Sequence, residues 1–425
     1  MEISKIHELF LKGKGVSTDT RKIEKGTIFF ALKGENFNGN KFALQAIEKG
    51  AAIVIADEIF EVHEKIVQVE NVLETLQELA TFHRNYLKTP IIALTGSNGK
   101  TTTKELVNAV LSKKFNTTAT QGNLNNHIGV PLTLLSMSEN TQIGIVEMGA
   151  NHPKEIANLC EIALPDYGYI TNFGKAHLEG FGGIVGVIKS KSELYDFLKN
   201  NNKTIFVNSD DELQIKQSKG AETYQIGENK GADCQVKFLN ADPFVEMSFD
   251  ELTIKSKLIG KYNAKNIAAA IGIGQYFEVL PKKIVEAIEA YIPQNNRSQI
   301  IEQNGNKIIM DAYNANPTSM LAALESFDSL PGKNKVLILG DMFELGENSL
   351  AEHQAIVDQI ESLDFDIVYL CGKDFHRTQS GSIKIQHFEN FEELKNELEK
   401  TKFSAVSILI KGSRGMALER ILKSL

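Results

Sequence analysis

Short apolar runs, separated by longer stretches with helical spacing, set the rhythm of this chain. Up to about residue 88 the runs fall at Ile28–Ala31, Ala51–Ala56 and Ile66–Val69, and a helical segment follows near Leu73–Tyr86. Lys88-Thr89-Pro90 then reads as a linker, because the residue before a proline tends to leave helical geometry. Beyond it, Ile91–Thr95, Ile143–Val146, Tyr167–Thr171 and Ile205–Val207 are candidate buried strands with helix-like stretches between them. Strands alternating with helices imply a mainly parallel sheet covered on both faces. Near Cys234–Lys255 the pattern shortens and alternates, predicting a small antiparallel insert, and Asn263–Tyr276 returns to helical spacing. A last section carries strand candidates at Lys307–Asp311, Val336–Leu339, Ile367–Cys371 and Ile408–Ile410. The pattern predicts an α/β protein of three domains: a small α/β N-terminal domain over 1–88, a central domain with a mainly parallel sheet over 89–296, and a C-terminal Rossmann-like domain over 297–425.

Composition agrees with this division and narrows the class. At 425 residues the chain has room for three domains of roughly 150 residues each. A net charge of −8 argues against a broad basic surface for nucleic acid or acidic lipid. No apolar run approaches the ~18 residues of a membrane span, and the N-terminus lacks the apolar stretch of a signal peptide. The three cysteines, Cys160, Cys234 and Cys371, are far apart and form no metal-like spacing, so small buried residues in a reducing cytoplasm are the simplest expectation.

Chemistry enters at Gly96-Ser97-Asn98-Gly99-Lys100-Thr101, which follows one strand candidate directly and opens a helical stretch, Thr102–Leu111. Glycines let backbone N–H groups close around phosphate oxygens, and the helix N-terminus adds its positive end. Lys100 suits the outer phosphates and the Thr101 hydroxyl suits Mg²⁺. Leu94 stands where the general phosphate-loop pattern has its first glycine, so this loop is shorter than that of GTPases and motor ATPases. ATP and magnesium are the expected cofactors. Glu147 ends another strand candidate and is placed either for Mg²⁺ or for capping a helix. His177 follows a third strand, where a structural or solvated role is the alternative. Asn263 and Asn266 share a helix face and could read adenine, or be ordinary surface amides. Arg297 and Asp311 begin the last section, and Asp311 could equally be a turn residue.

The short loop resembles that of the Mur ligase family, the ATP-dependent amide ligases of peptidoglycan synthesis. The resemblance extends over nearly the whole chain through five strings in the family's order: Ser17–Arg21, Gly122–Asn126 with Ile128–Pro131, Asp311–Pro317, Leu339–Glu347 and Lys411–Arg414. Tyr313-Asn314-Ala315-Asn316-Pro317 and Gly340-Asp341-Met342-Phe343-Glu344-Leu345-Gly346 most resemble the branch that adds D-alanyl-D-alanine to UDP-N-acetylmuramoyl-tripeptide. The resemblance implies two Mg²⁺ ions held by Thr101, Glu147, His177 and a carbamylated Lys191, with Lys189 the alternative lysine if the register slips. It implies ATP contacts from Gly96 through Thr102, adenine contacts at Asn263 and Asn266, a phosphate contact at Arg297 and a ribose contact at Asp311. Lys100, Lys191 and His177 would carry catalysis. A uridine-nucleotide pocket is implied at Thr18, Thr20, Arg21 and Asn38, and a muramoyl-peptide cleft at Asn125 and Asn126. The sequence departs from the family at Tyr262, usually histidine, and at Asn38-Gly39-Asn40, commonly Asp-Gly-His. Another ligase of the family and a nucleotide-driven switch are the remaining alternatives.

Overall fold

The computed structural model describes every residue except Lys333. Its N-terminal domain carries a four-stranded parallel sheet in the order Val16–Ser17, Ile28–Phe30, Ile53–Ala56, Ile66–Gln68. The helix Val72–Leu87 starts cleanly because the Asn71 side chain accepts from the N–H groups of Leu73 and Glu74, two of the donors every helix start leaves open. It belongs to two domains at once. His83 meets His7 of the first domain at 3.0 Å and the Met137 carbonyl of the central one at 3.0 Å. Arg84, almost fully buried, donates to the carbonyls of Ala163 and Leu164 and to Asp166. The helix therefore anchors the N-terminal domain on the central one.

The central sheet has nine strands in the order Leu252–Ile259, Phe244–Phe249, Cys234–Ala241, Thr223–Gly227, Thr204–Asn208, Tyr167–Ile170, Ile91–Thr95, Ile143–Glu147, Thr117–Ala119. Every residue of Ile91–Thr95 is buried, as expected of a strand with helices on both faces. The segment predicted as a small antiparallel insert does pair antiparallel, and it forms the far end of this sheet. Cys234–Ala241 joins it by parallel pairing of Ile226 with Cys234 and Gly227 with Gln235, and the two hairpin-linked strands continue outward from there.

The C-terminal sheet runs Gln299–Gln303, Asn306–Asp311, Ser407–Lys411, Lys335–Gly340, Ile367–Cys371, Ile385–Phe388. Only its first strand is antiparallel. Cys160, Cys234 and Cys371 are all buried and free. Among the described residues no helix is long and apolar enough to cross a membrane.

Candidate active site

Three adjacent parallel strands, Tyr167–Ile170, Ile91–Thr95 and Ile143–Glu147, end on one edge of the central sheet. Ligands of such folds bind beyond the carboxyl ends of the strands. The loop Gly96–Gly99 leaves the middle strand there and turns into the helix Lys100–Leu111. Gly96 and Gly99 have φ of +139° and +78°, and neither position has room for a side chain. A Cβ on Gly96 would lie 2.1 Å from Thr171 Oγ1, and one on Gly99 2.6 Å from Asn266 Oδ1. Gly96→Ala should therefore cost roughly 1–3 kcal/mol of stability through backbone strain alone. A lowered melting temperature together with loss of the stabilisation ADP gives the wild type is the expected result, and an unchanged ADP shift would refute it.

Lys100 Nζ donates to the carbonyls of Gly96 at 2.7 Å and Ser97 at 3.2 Å. Burial pulls the Lys100 ammonium below its ordinary range; nearby Glu147 opposes that effect and Arg297 adds to it. A phosphate in the loop would supply the negative charge this cation lacks.

Glu147 is 2% exposed. Asn125 Nδ2 donates to its Oε1 at 2.8 Å, while Oε2 is buried with no partner. An orphaned carboxylate oxygen beside a phosphate loop is what a hard cation would complete, so the residues fit Mg²⁺. Lys191 is 1% exposed and is not among the residues lining the cleft; its Nζ lies 3.1 Å from the Ala150 carbonyl and 5.0 Å from the centre of the Phe181 ring. Burial pulls its ammonium well below the ordinary range, and Lys100 adds to the effect. Lys189 is exposed, so of the two lysines only Lys191 is sequestered. His177 lines the cleft in left-handed geometry and pairs with the Glu344 carboxylate of the C-terminal domain. Hydrogen bonding from His177 holds Glu344 below the usual carboxylate range.

The cleft has a volume of about 790 Å³ and is walled by two domains. From the C-terminal side Arg297 stacks on Tyr313, its guanidinium carbon 3.4 Å from the ring centre, and donates to Thr101 Oγ1 at 3.0 Å. Asp311 and Lys411 are register partners on neighbouring parallel strands. They form an ion pair at 2.5 Å, and Asp311 also accepts from the Ser298 N–H.

Gly99, Thr101, Thr102, Asn125, Asn126, Asn263, Asn266 and Asp311 all line this cleft. Several carry duties the sequence does not announce. Asn266 Oδ1 accepts from Thr103 and its Nδ2 donates to Asn263, whose own amide donates to the Ile259 carbonyl. This chain of amides buttresses Gly99. Asn126 accepts from the N–H groups of Ile128 and Gly129, starting the next helix. Thr18, Thr20, Arg21 and Asn38 are not among the cleft residues; they lie in the N-terminal domain. There Asn38 accepts from Asn40 and donates to Glu58 at 2.7 Å, and the Arg21 guanidinium pairs with Asp19. Sequence reasoning missed Tyr313, Lys411 and Glu155 as wall residues. The first two sit inside strings it had singled out, whereas Glu155 gave no signal. Asp341 is turned away from the cleft: buried, it accepts from the N–H groups of Asp374 and Phe375, and a Cβ on Gly372 would lie 2.2 Å from its carboxyl carbon.

A phosphate loop on one domain, faced by a guanidinium and a carboxylate from another, defines a nucleotide-dependent α/β enzyme whose site is completed between domains. The description "Mur ligase middle domain" matches residues 94–274, "Mur ligase, glutamate ligase domain" 296–414, and "Mur ligase family, catalytic domain" 12–84. The UDP-N-acetylmuramoyl-tripeptide–D-alanyl-D-alanine ligase of Bacillus subtilis is 38% identical over 97% of this chain and 93% of its own length. Its Escherichia coli counterpart is 32% identical over 96% and 93%. The structure of MurF from Acinetobacter baumannii superposes with a TM-score of 0.88 at 29% identity, over 99% of this chain and 98% of that one. MurF of Thermotoga maritima, solved in complex with ADP, gives 0.85 at 28% over 98% and 97%. The chain belongs to the Mur ligase family.

Proposed function

We propose that this protein is an ATP-dependent amide ligase of cytoplasmic peptidoglycan synthesis, joining D-alanyl-D-alanine to UDP-N-acetylmuramoyl-tripeptide with release of ADP and phosphate. The observation that carries the reading is full-length similarity to ligases of that name, with a phosphate loop and an inter-domain cleft in the same chain. A carboxylate does not acylate an amine, because its leaving group would be oxide. In the reading adopted here, a terminal carboxylate oxygen of the tripeptide attacks the γ-phosphorus and the bond to the β-bridging oxygen breaks. ADP leaves and an acyl phosphate remains. The dipeptide amine then attacks the acyl carbon, and the tetrahedral intermediate expels phosphate as the nitrogen loses a proton.

Lys100 and the N–H groups of Gly96 through Thr102 hold the transferring charge, and Arg297 adds a cation from the opposite wall. Closure of that wall keeps water from the acyl phosphate. Thr101, Glu147, His177 and carbamylated Lys191 would hold Mg²⁺, which when bound offsets repulsion between phosphates and the incoming carboxylate. Carbamylation joins the neutral Lys191 nitrogen to the carbon of CO₂ and releases a proton. Burial favours that neutral amine, and the product is an anion able to face a cation. Thr18, Thr20, Arg21 and Asn38 take the uridine end, and Asn125 and Asn126 the peptide end.

Phosphate release measured with and without each substrate tests the reading. Turnover should need ATP, UDP-N-acetylmuramoyl-tripeptide and D-alanyl-D-alanine together, and neither lysine nor diaminopimelate should replace the dipeptide. Production of AMP, or hydrolysis indifferent to the amine, would sink it; the second result is what a nucleotide switch would give.

A further inference from the structure

We infer that Asn316 is a positioning residue that couples seating of the C-terminal domain to the phosphate loop, acting through the side-chain amide of Asn98. Asn316 caps the helix Pro317–Ser329. Its Oδ1 accepts from the Ser319 N–H at 2.9 Å, and its own N–H donates to Ser319 Oγ at 3.1 Å. The cap fixes which end of the amide is oxygen, because only an acceptor can satisfy that helix N–H. Nδ2 must then point the other way, and it donates to Asn98 Oδ1 across the domain boundary at 2.7 Å. Asn98 is oriented in turn, since its oxygen is the only atom that can meet this donor.

The main chain of Asn98 is held from the other side. Its N–H donates to Asn172 Oδ1 at 3.2 Å, and its carbonyl accepts from Thr171 Oγ1 at 2.5 Å and Asn172 Nδ2 at 2.9 Å. The central domain thus fixes the backbone of this loop residue and the C-terminal domain fixes its side chain. Asn98 Nδ2 remains buried without a partner although the residue lines the cleft. An amide serving packing alone would have both ends bonded. The seam continues at Thr318, whose Oγ1 accepts from the Lys175 N–H at 2.9 Å. Gly174 lets the two domains meet: a Cβ there would lie 2.9 Å from Asn98 Nδ2 and 3.1 Å from Thr318.

The inference rests on the ATP-dependent reading, which wild-type turnover tests separately. Its own test is a double-mutant cycle of Asn316→Ser and Asn98→Ala. Serine still caps the helix but has no amide to reach Asn98, so the melting temperature should hold within about 2 °C. Asn316→Ser should lower kcat roughly tenfold, the scale of one buried hydrogen bond, with KM for D-alanyl-D-alanine nearly unchanged. In the Asn98→Ala background the same change should cost less than about twofold, because coupled sites are non-additive. The Kd of ADP measured through the same four proteins repeats the cycle without turnover, and it holds even if the amine proves to be another. Equal losses in both backgrounds, no loss in the wild-type background, or a raised KM for the dipeptide at unchanged kcat would each overturn the coupling. The last would make Asn316 a substrate contact.

Discussion

Lys100→Ala is expected to lower phosphate release by a factor on the order of 10³ or more while leaving the folded protein no less stable. The two halves of this expectation have one cause. Lys100 is a cation at the base of the anion-binding loop, folded against the carbonyls of Gly96 and Ser97 and pulled below its ordinary range by burial. A group whose ionised form the fold disfavours binds fewer protons folded than unfolded, so its presence weakens the fold at pH values below its unfolded pKa. Alanine removes that penalty together with the charge proposed above to stabilise phosphoryl transfer. Initial rates and thermal melts on one preparation check both halves. Retained turnover would remove Lys100 from catalysis, and a large fall in melting temperature would make it a structural lysine.

Lys191→Ala should cost at least about a hundredfold in kcat, and part of that loss should return on adding formate or acetate. A short carboxylate can enter the volume the side chain leaves and replace the anionic end of a carbamate. The amine itself cannot serve as such an end, since a lysine nitrogen is neutral or cationic and never carries the negative charge a carbamate brings. For the same reason, wild-type enzyme prepared and assayed free of CO₂ should lose activity that bicarbonate restores. Full activity of the alanine variant without any carboxylate would exclude Lys191 from the metal site.

Local signals made much of this legible. The helix Asn263–Tyr276 has the bounds its spacing predicts, and the phosphate loop lies between a strand and a helix as its composition requires. Strands hidden from view were short or half-exposed. Thr117–Ala119 is three residues at a sheet edge, and Gln299–Gln303 is intermediate or exposed throughout, so neither has the apolar run that marks a buried strand. The parallel junction of Ile226 with Cys234 is a pairing between segments, which no local period encodes. In the site, residue types pointed to Glu147 and Arg297. That Asn125 holds one oxygen of Glu147, or that Tyr313 lies under Arg297, follows only from tertiary geometry. Asn266 is a similar case: its amide is legible as a polar group on a helix face, but its packing against Gly99 is not.

Asp341 bears on any effort to re-engineer the enzyme for another incoming amine. It stands in one of the strings that most resemble the dipeptide-adding branch, so it is a tempting position to randomise. Its carboxylate is occupied by main-chain N–H groups of a neighbouring loop, with no room at Gly372 for even a methyl group. A library varied there would mostly sample damaged loops. Diversity is better placed on cleft-wall side chains whose tips are not already committed to the backbone.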